Sequence, residues 1–357
     1  MVGKLYDVII VGASVTGCRT AELISRKGYK VLVLEEHREI GEPQKCAGLV
    51  SWRLLNLLPK LPKEIMINKL NRAKFFSPSG KFFELKSKKS VYVIDRVKLD
   101  KYLAKKAMGS GAKIKTSTRF ENFKYIDEMI ELKTNKGEFK TKLLIGTDGV
   151  NSKIAKQANI VQPNNLLMGI QATVNGNFDP DLVELWFGSV APNFFAWVIP
   201  ENENKARIGL ATKTNCKFYF DKFLKKRIGK IKKPNVGGLI RFGSMKNTVS
   251  DRILLVGDSA CQVKPFSGGG IIYGLTASEY CATTCVKALK ESRFNSNFLK
   301  KEYDKKWRER LEKSIRRGLL YRKILDKFSD KQLNFLFSSG KIIKLTKLLE
   351  SWDMDLL

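Results

Sequence analysis

The chain has 357 residues, 43% of them hydrophobic, enough apolar material for one large composite unit or two to three subdomains. Its formal net charge is +31, yet no recognition motif accompanies that charge, so a nucleic-acid partner is set aside. No apolar run is long enough to span a bilayer, and no basic segment followed by an apolar stretch and a small-residue cleavage site opens the chain, which reads as cytoplasmic.

The charge leaves three readings in view: attraction to an anionic membrane surface, attraction to a phosphorylated substrate, and a lysine-rich but merely solvated surface. The six cysteines contain no C-x-x-C pair, which removes zinc and thioredoxin chemistry. Cys281 and Cys285 read as small buried side chains on one helix. The single histidine, His37, reads as a surface loop residue without a partner cluster.

In chain order, residues 6–11 read as a buried parallel strand, residues 12–17 as a turn, and residues 18–27 as a helix closed by Gly28. Residues 30–34 give the second strand, and the whole is a βαβ unit. Residues 41–50 form a loop and 51–58 a short helix. Residues 74–85 predict a hairpin around Ser77-Pro78-Ser79-Gly80, residues 91–94 a short strand, and 97–110 a helix. Several strands follow to Ile145, then an antiparallel sheet over 167–213, then a buried parallel strand at 253–256. Residues 268–289 predict a Gly-rich entry into a helix. From about Ser292 the chain reads as helical and basic, with Tyr303, Trp307, Leu311 and Ile315 in one apolar stripe and a capping box at Ser329 and Gln332.

Three strand ends carry chemistry. In the first turn Gly12 permits the tight bend, Gly17 permits close helix packing, and Ser14 stands where a second glycine is usual; the helix N-terminus then offers backbone N–H groups to a pyrophosphate. Glu35, ending the second strand with Glu36 beside it, suits ribose hydroxyls and repels a 2′-phosphate, which disfavours NADP. Asp148-Gly149 follows a second strand and Gly257-Asp258 a third; each aspartate suits a ribityl hydroxyl or, read more plainly, a helix cap.

These residues, with Tyr92-Val93-Ile94-Asp95-Arg96, the segment Glu42-Pro43-Gln44-Lys45-Cys46-Ala47-Gly48, the segment Phe195-Ala196-Trp197-Val198-Ile199-Pro200, and Lys264-Pro265 with Gly268-Gly269-Gly270, resemble the geranylgeranyl reductase family within the aromatic-hydroxylase-like FAD-dependent oxidoreductases. The resemblance covers about residues 1–290, departing at Ser14, Phe195, Ile199 and Ala155 or Lys156. It implies an α/β (α+β composite) fold: a Rossmann-like FAD-binding domain from residues 1–60, 91–160 and 251–290, an antiparallel-sheet substrate domain from 61–90 and 161–250, and a basic helical region over 291–357.

The resemblance also implies roles. FAD is held by Gly12, Ser14, Gly17, Glu35, Glu36, Cys46, Ala47, Arg96, Asp148, Gly149, Gly257, Asp258, Gly268, Gly269, Gly270 and Ile271. Phe195, Trp197, Pro200 and Trp186 line an apolar substrate groove, or else are plain core. Cys46 and Tyr273 are the candidates for the proton step. The expected activity is hydride transfer from reduced flavin to carbon–carbon double bonds of a prenyl lipid or prenyl diphosphate. The expected electron donor is NAD(P)H or a small ferredoxin-like protein, with peripheral contact to an anionic membrane. An aromatic monooxygenase and a non-catalytic flavin scaffold at membranes are the alternatives.

Overall fold

The computed structural model describes residues 4–339 and Asp355. The chain divides into two compact units. The first comprises Met1–Glu42, Val97–Asn165 and Arg241–Arg316; the second comprises Pro43–Arg96, Leu166–Ile240 and Arg317–Leu357.

The first unit is built on an eight-stranded, mostly parallel sheet. The strand Lys4–Val11 lies at its centre, parallel to Val31–Leu34 on one side and to Gly137–Gly146 on the other. Ile253–Leu255 extends the parallel run beyond Gly137–Gly146, and Lys113–Lys115 extends it beyond Val31–Leu34. The hairpin of Phe120–Ile126 and Met129–Thr134 joins antiparallel to Gly137–Gly146. Val8, Ile9, Ile10, Leu32, Val33, Leu144 and Ile145 are fully buried, as expected of parallel strands covered on both faces. The helices Val15–Ser25 and Ile271–Glu291 pack tightly at small residues: a Cβ on Gly274 would come within 2.6 Å of Thr16 Oγ1, and one on Gly257 within 2.9 Å of the same atom. Cys281 and Cys285 are buried free thiols with sulfurs 4.0 Å apart.

The apolar stripe of the C-terminal helical region belongs to this core. Tyr303 and Leu311 are fully buried, and Trp307 and Ile315 are nearly so. The Tyr303 hydroxyl donates to the Leu255 carbonyl at 2.7 Å and accepts from Gln262 Nε2 at 3.0 Å. Trp307 Nε1 donates to Thr248 Oγ1 at 3.0 Å. The stripe therefore faces protein, while the outward side of the helix Lys305–Leu325 carries its basic residues together with exposed Leu320 and Ile324. A π-turn, Lys300–Asp304, leads into that helix.

The second unit is an eight-stranded, mostly antiparallel sheet in the order Val236–Arg241, Leu166–Asn175, Lys205–Thr212, Ala196–Asn202, Leu182–Trp186, Met66–Phe76, Phe82–Ile94, Leu49–Ser51. The contact of Leu182–Trp186 with Met66–Phe76 is parallel, and the other neighbours whose pairing is resolved run antiparallel. The hairpin foreseen at 74–85 is real but longer, because its second strand runs through to Ile94. The helix Cys216–Ile228 covers one face through Phe220, Phe223 and Leu224. The helix Asp330–Ser338 starts with the capping box of Ser329 and Gln332. No helix among the described residues is long and apolar enough to cross a membrane.

Candidate active site

The nucleotide cradle forms at the carboxyl ends of the first unit's parallel strands. Gly12 adopts φ +105°, and a Cβ there would lie 2.4 Å from the Thr147 carbonyl oxygen. A Cβ on Gly17 would lie 1.9 Å from the Gly12 carbonyl oxygen. Neither position admits a side chain. Ser14 is the N-cap of the helix Val15–Ser25 but its side chain makes no cap hydrogen bond, and the first turn holds no acidic residue. The first N–H groups of this helix thus have no intrahelical acceptor and suit an anion.

Glu35 serves the turn directly. Its Oε2 accepts from the Ala13 N–H at 2.8 Å, and its Oε1 accepts from the His37 N–H at 3.0 Å. His37 Nδ1 lies 2.6 Å from the same Oε1, so the histidine read as partnerless braces this carboxylate. Glu36 is exposed beside it.

The two aspartates differ. Asp148 Oδ1 accepts from Ser152 Oγ at 2.6 Å and Oδ2 from the Ile154 N–H at 3.2 Å, so it braces the start of the short helix Lys153–Gln157, whose N-cap is Ser152. Desolvation raises its pKa against those hydrogen bonds. Asp258 is exposed, with Oδ1 placed so that a Cβ on Gly270 would meet it at 2.7 Å. Asp258 is thus the more exposed of the two carboxylates. Gly149 adopts φ +80° in the loop held by Arg241, whose Nε donates to the Val150 carbonyl at 3.1 Å and Nη2 to Asn151 Oδ1 at 3.1 Å. Residues 268–270 and Ile271 are partly exposed at the start of the helix Ile271–Glu291. The Lys264 N–H donates to the Gly269 carbonyl at 3.0 Å and the Gly268 N–H to the Lys264 carbonyl at 2.8 Å, closing the glycine loop. Tyr273 is fully buried in the first turn of that helix.

In the second unit, Cys46 and Ala47 lie half-buried on the loop before Leu49–Ser51. Cys46 Sγ accepts from the Gly48 N–H at 3.3 Å. Arg96 is half-buried and opens the helix Arg96–Gly109.

The expected substrate residues do not share one face. Leu185 pairs with Trp197 and Trp186 with Ala196, so Trp186 is turned to the face covered by Cys216–Ile228. There it stacks on Phe76 at 4.0 Å and meets Phe223 edge-on. The correction follows from strand periodicity: an even step in one strand set opposite an odd step in its neighbour changes the face. Pro200 is buried where the ladder shifts register, and its carbonyl accepts from Asn68 Nδ2 at 3.0 Å.

Phe195 and Trp197 lie on the opposite face, in an aromatic row that sequence reading only half found. Phe83 stacks on Phe75 at 4.9 Å, Phe75 on Phe187 at 6.2 Å, Phe187 meets Phe195 at 5.8 Å, and Phe195 meets Trp197 at 6.2 Å. Trp197 lies over Gly209, where a Cβ would come within 2.5 Å of the indole, and its Nε1 donates to Gln171 Oε1 at 2.9 Å. Phe75 and Phe83 were readable as alternate residues of the predicted hairpin, but nothing local joined them to Phe187.

The donor set fits FAD. Glycines fill the closest approaches, an uncapped helix N-terminus suits the pyrophosphate, and exposed carboxylates stand at Glu36 and Asp258. Among the described residues no three His, Cys, Asp or Glu side chains cluster as a metal site.

Residues 5–227 match the FAD binding domain family. The chain is 32% identical to digeranylgeranylglycerophospholipid reductase 2 of Methanothermobacter thermautotrophicus, over 94% of this chain and 91% of that protein. It is likewise 32% identical to digeranylgeranylglycerophospholipid reductase of Methanocaldococcus jannaschii, over 93% and 90%. A geranylgeranyl bacteriochlorophyll reductase-like protein of Thermoplasma acidophilum superposes with a TM-score of 0.87 at 25% identity, over 99% of this chain and 98% of that one. With two reductases of this kind at 32% identity over more than nine-tenths of the chain, and the FAD binding domain family matched over residues 5–227, the chain belongs to the FAD-dependent digeranylgeranylglycerophospholipid reductase family.

Proposed function

We propose that the protein saturates carbon–carbon double bonds in the geranylgeranyl chains of membrane phospholipids or their precursors, as a step of phospholipid biosynthesis. Bound FAD, once reduced, supplies the hydride. An isolated prenyl alkene is a poor hydride acceptor, so the residues must hold it close in a dry cavity.

The aromatic row from Phe83 to Trp197 carries this reading. It offers a continuous apolar face to a hydrocarbon chain, whose burial contributes about 0.8 kcal/mol per CH₂. Cys46, half-buried on its loop, is our choice for the proton step; Tyr273 is fully buried in a helix and gives way to it. The FAD contacts assigned from Gly12 to Ile271 stand as part of the same proposal, with Asp148 acting through the loop it braces.

The reductant is NAD(P)H or a small iron–sulfur protein. Contact with anionic lipid headgroups is proposed for the groove of about 1210 Å³ lined by Lys246, Lys300, Lys301, Lys305, Lys313 and Arg316. Its basis is electrostatic, since the stripe of Tyr303, Trp307, Leu311 and Ile315 is used internally.

The test is anaerobic. The flavin is reduced with dithionite, a geranylgeranylated phospholipid is added, and both flavin reoxidation and a mass gain of one hydrogen pair per bond are followed. Reduced flavin that persists with the lipid, and is consumed only with oxygen and an aromatic, would replace this reading with a monooxygenase.

A further inference from the structure

Arg207, on the strand Lys205–Thr212, is a charged side chain with only 5% of its surface exposed. Its Nη1 donates to two backbone carbonyls, Ala47 at 2.6 Å and Ile94 at 3.1 Å. Its Nε donates to Glu201 Oε1 at 2.7 Å. Glu201 also pairs with Lys205 Nζ at 3.0 Å. Burial alone would raise the Glu201 pKa, but the hydrogen bonds from Arg207 and Lys205 outweigh it and the carboxyl is held below its ordinary value. The buried guanidinium is thereby neutralised without giving up the Nη1 contacts.

The two carbonyls belong to the two segments of this unit that carry the candidate cofactor contacts Cys46, Ala47 and Arg96. Ala47 follows Cys46 directly, and Ile94 stands two residues before Arg96. The segments also pair with each other: the Ile94 N–H donates to the Gly48 carbonyl at 2.8 Å, and Leu49 pairs with Val93. Gly48 has φ +73°, and a Cβ there would come within 2.4 Å of Arg207 Nη1 and 2.5 Å of the Ile94 carbonyl. The Gly48 N–H in turn donates to Cys46 Sγ at 3.3 Å. One guanidinium therefore sets the peptide that aims the thiol. A buried ion pair contributes little net stability over apolar packing of similar volume, so its specific geometry is what distinguishes it here.

We propose that Arg207 is a positioning residue for the reaction, fixing the Cys46 thiol through the Ala47 carbonyl and the Gly48 N–H. This rests on the reading of Cys46 as the group of the proton step. A lysine would keep the charge near Glu201 but lacks the planar fork whose Nε holds Glu201 while Nη1 serves both carbonyls.

The test uses the FAD-loaded full chain in a Cys216→Ser background, because Cys216 is the other partly exposed cysteine and the remaining four are buried. Arg207→Lys and Arg207→Met are compared for flavin content, melting temperature, steady-state kinetics on a geranylgeranylated phospholipid, and the rate at which iodoacetamide alkylates Cys46. We expect both variants to retain FAD, to label Cys46 at a clearly changed rate, and to lose kcat by roughly ten- to a hundredfold with little change in KM, the effect of a small misplacement of a reacting group. Should Arg207→Met fail to fold, Arg207→Lys carries the test. Unchanged labelling and kcat in Arg207→Lys, or a kcat loss that only follows loss of FAD-bound protein, overturns the proposal. Cys46→Ala is run in parallel: full activity there overturns the reading of Cys46, while the labelling rate still reports on the clamp.

Discussion

The Ala13 N–H donates to Glu35 Oε2 at 2.8 Å, so the end of the second strand is fastened to the glycine turn of the first. The same carboxylate holds His37 through its other oxygen. Glu35 is thus a structural anchor of the turn, beside the ribose contact proposed for it. We expect Glu35→Ala to weaken FAD binding by about 1–3 kcal/mol, the cost of leaving polar partners unsatisfied. Fluorescence titration of the apoprotein with FAD measures this; an unchanged Kd contradicts it.

The close seat of Trp197 on Gly209 gives a sharper probe of the aromatic face than deleting the indole. A methyl group at position 209 would meet the indole at 2.5 Å and displace it. Gly209→Ala should destabilise the protein by about 1–3 kcal/mol through overpacking. FAD content should be unchanged and kcat/KM on the prenyl lipid should fall. Loss of flavin instead would make the aromatic row a support of the nucleotide site and not a substrate wall.

Binding to vesicles of anionic phospholipid should be strongest at low salt and fade as ionic strength rises. Replacing Lys300, Lys301 and Lys313 with Glu should abolish it while leaving turnover of detergent-dispersed substrate intact, because these side chains line the basic groove. Co-sedimentation indifferent to salt or to these changes rejects the electrostatic contact.

Glu302 supplies a pH-dependent fastening. Hydrogen bonds from Lys306 and Lys287 hold its carboxyl down to about 2, below the ordinary 4.5. A depressed carboxyl stabilises the folded state above its unfolded pKa, and that contribution disappears as pH falls through the folded one. The loss therefore runs from about pH 4.5 down to about pH 2. Glu302→Gln should cost about 1 kcal/mol at pH 7, after allowance for solvent screening, and should differ little from the parent near pH 2. Urea titrations at the two pH values test the sign.

The strand-end motifs were legible because each is local: a buried strand, a glycine that no side chain can replace, and a carboxylate at a fixed offset. The antiparallel hairpin was legible at 74–85 for the same reason, through a Ser-Pro-Ser-Gly turn, but not its extension back to Met66 and on to Ile94. What was not legible depends on register between distant strands. The pairing of Trp186 with Ala196 decides which aromatics share a face, and no feature of either segment alone encodes it. Arg207 contacts carbonyls 160 and 113 positions away, and backbone acceptors leave no mark on the sequence. The stripe at Tyr303, Trp307, Leu311 and Ile315 was read at the right spacing, but its spacing suits a membrane and a protein core equally.

The hydroxyl of Tyr303 has a bearing on the order of synthesis. It is bonded to the Leu255 carbonyl and to Gln262, and Gln262 Oε1 accepts from the Gly257 N–H at 2.7 Å, immediately before Asp258. The strand end that presents Asp258 is thus braced by a residue made nearly fifty positions later. A ribosome-bound chain ending before Tyr303 carries every glycine of the cradle without this brace. We expect stable flavin capture to await the emergence of Tyr303, so that chains cut short between residues 292 and 302 accumulate colourless.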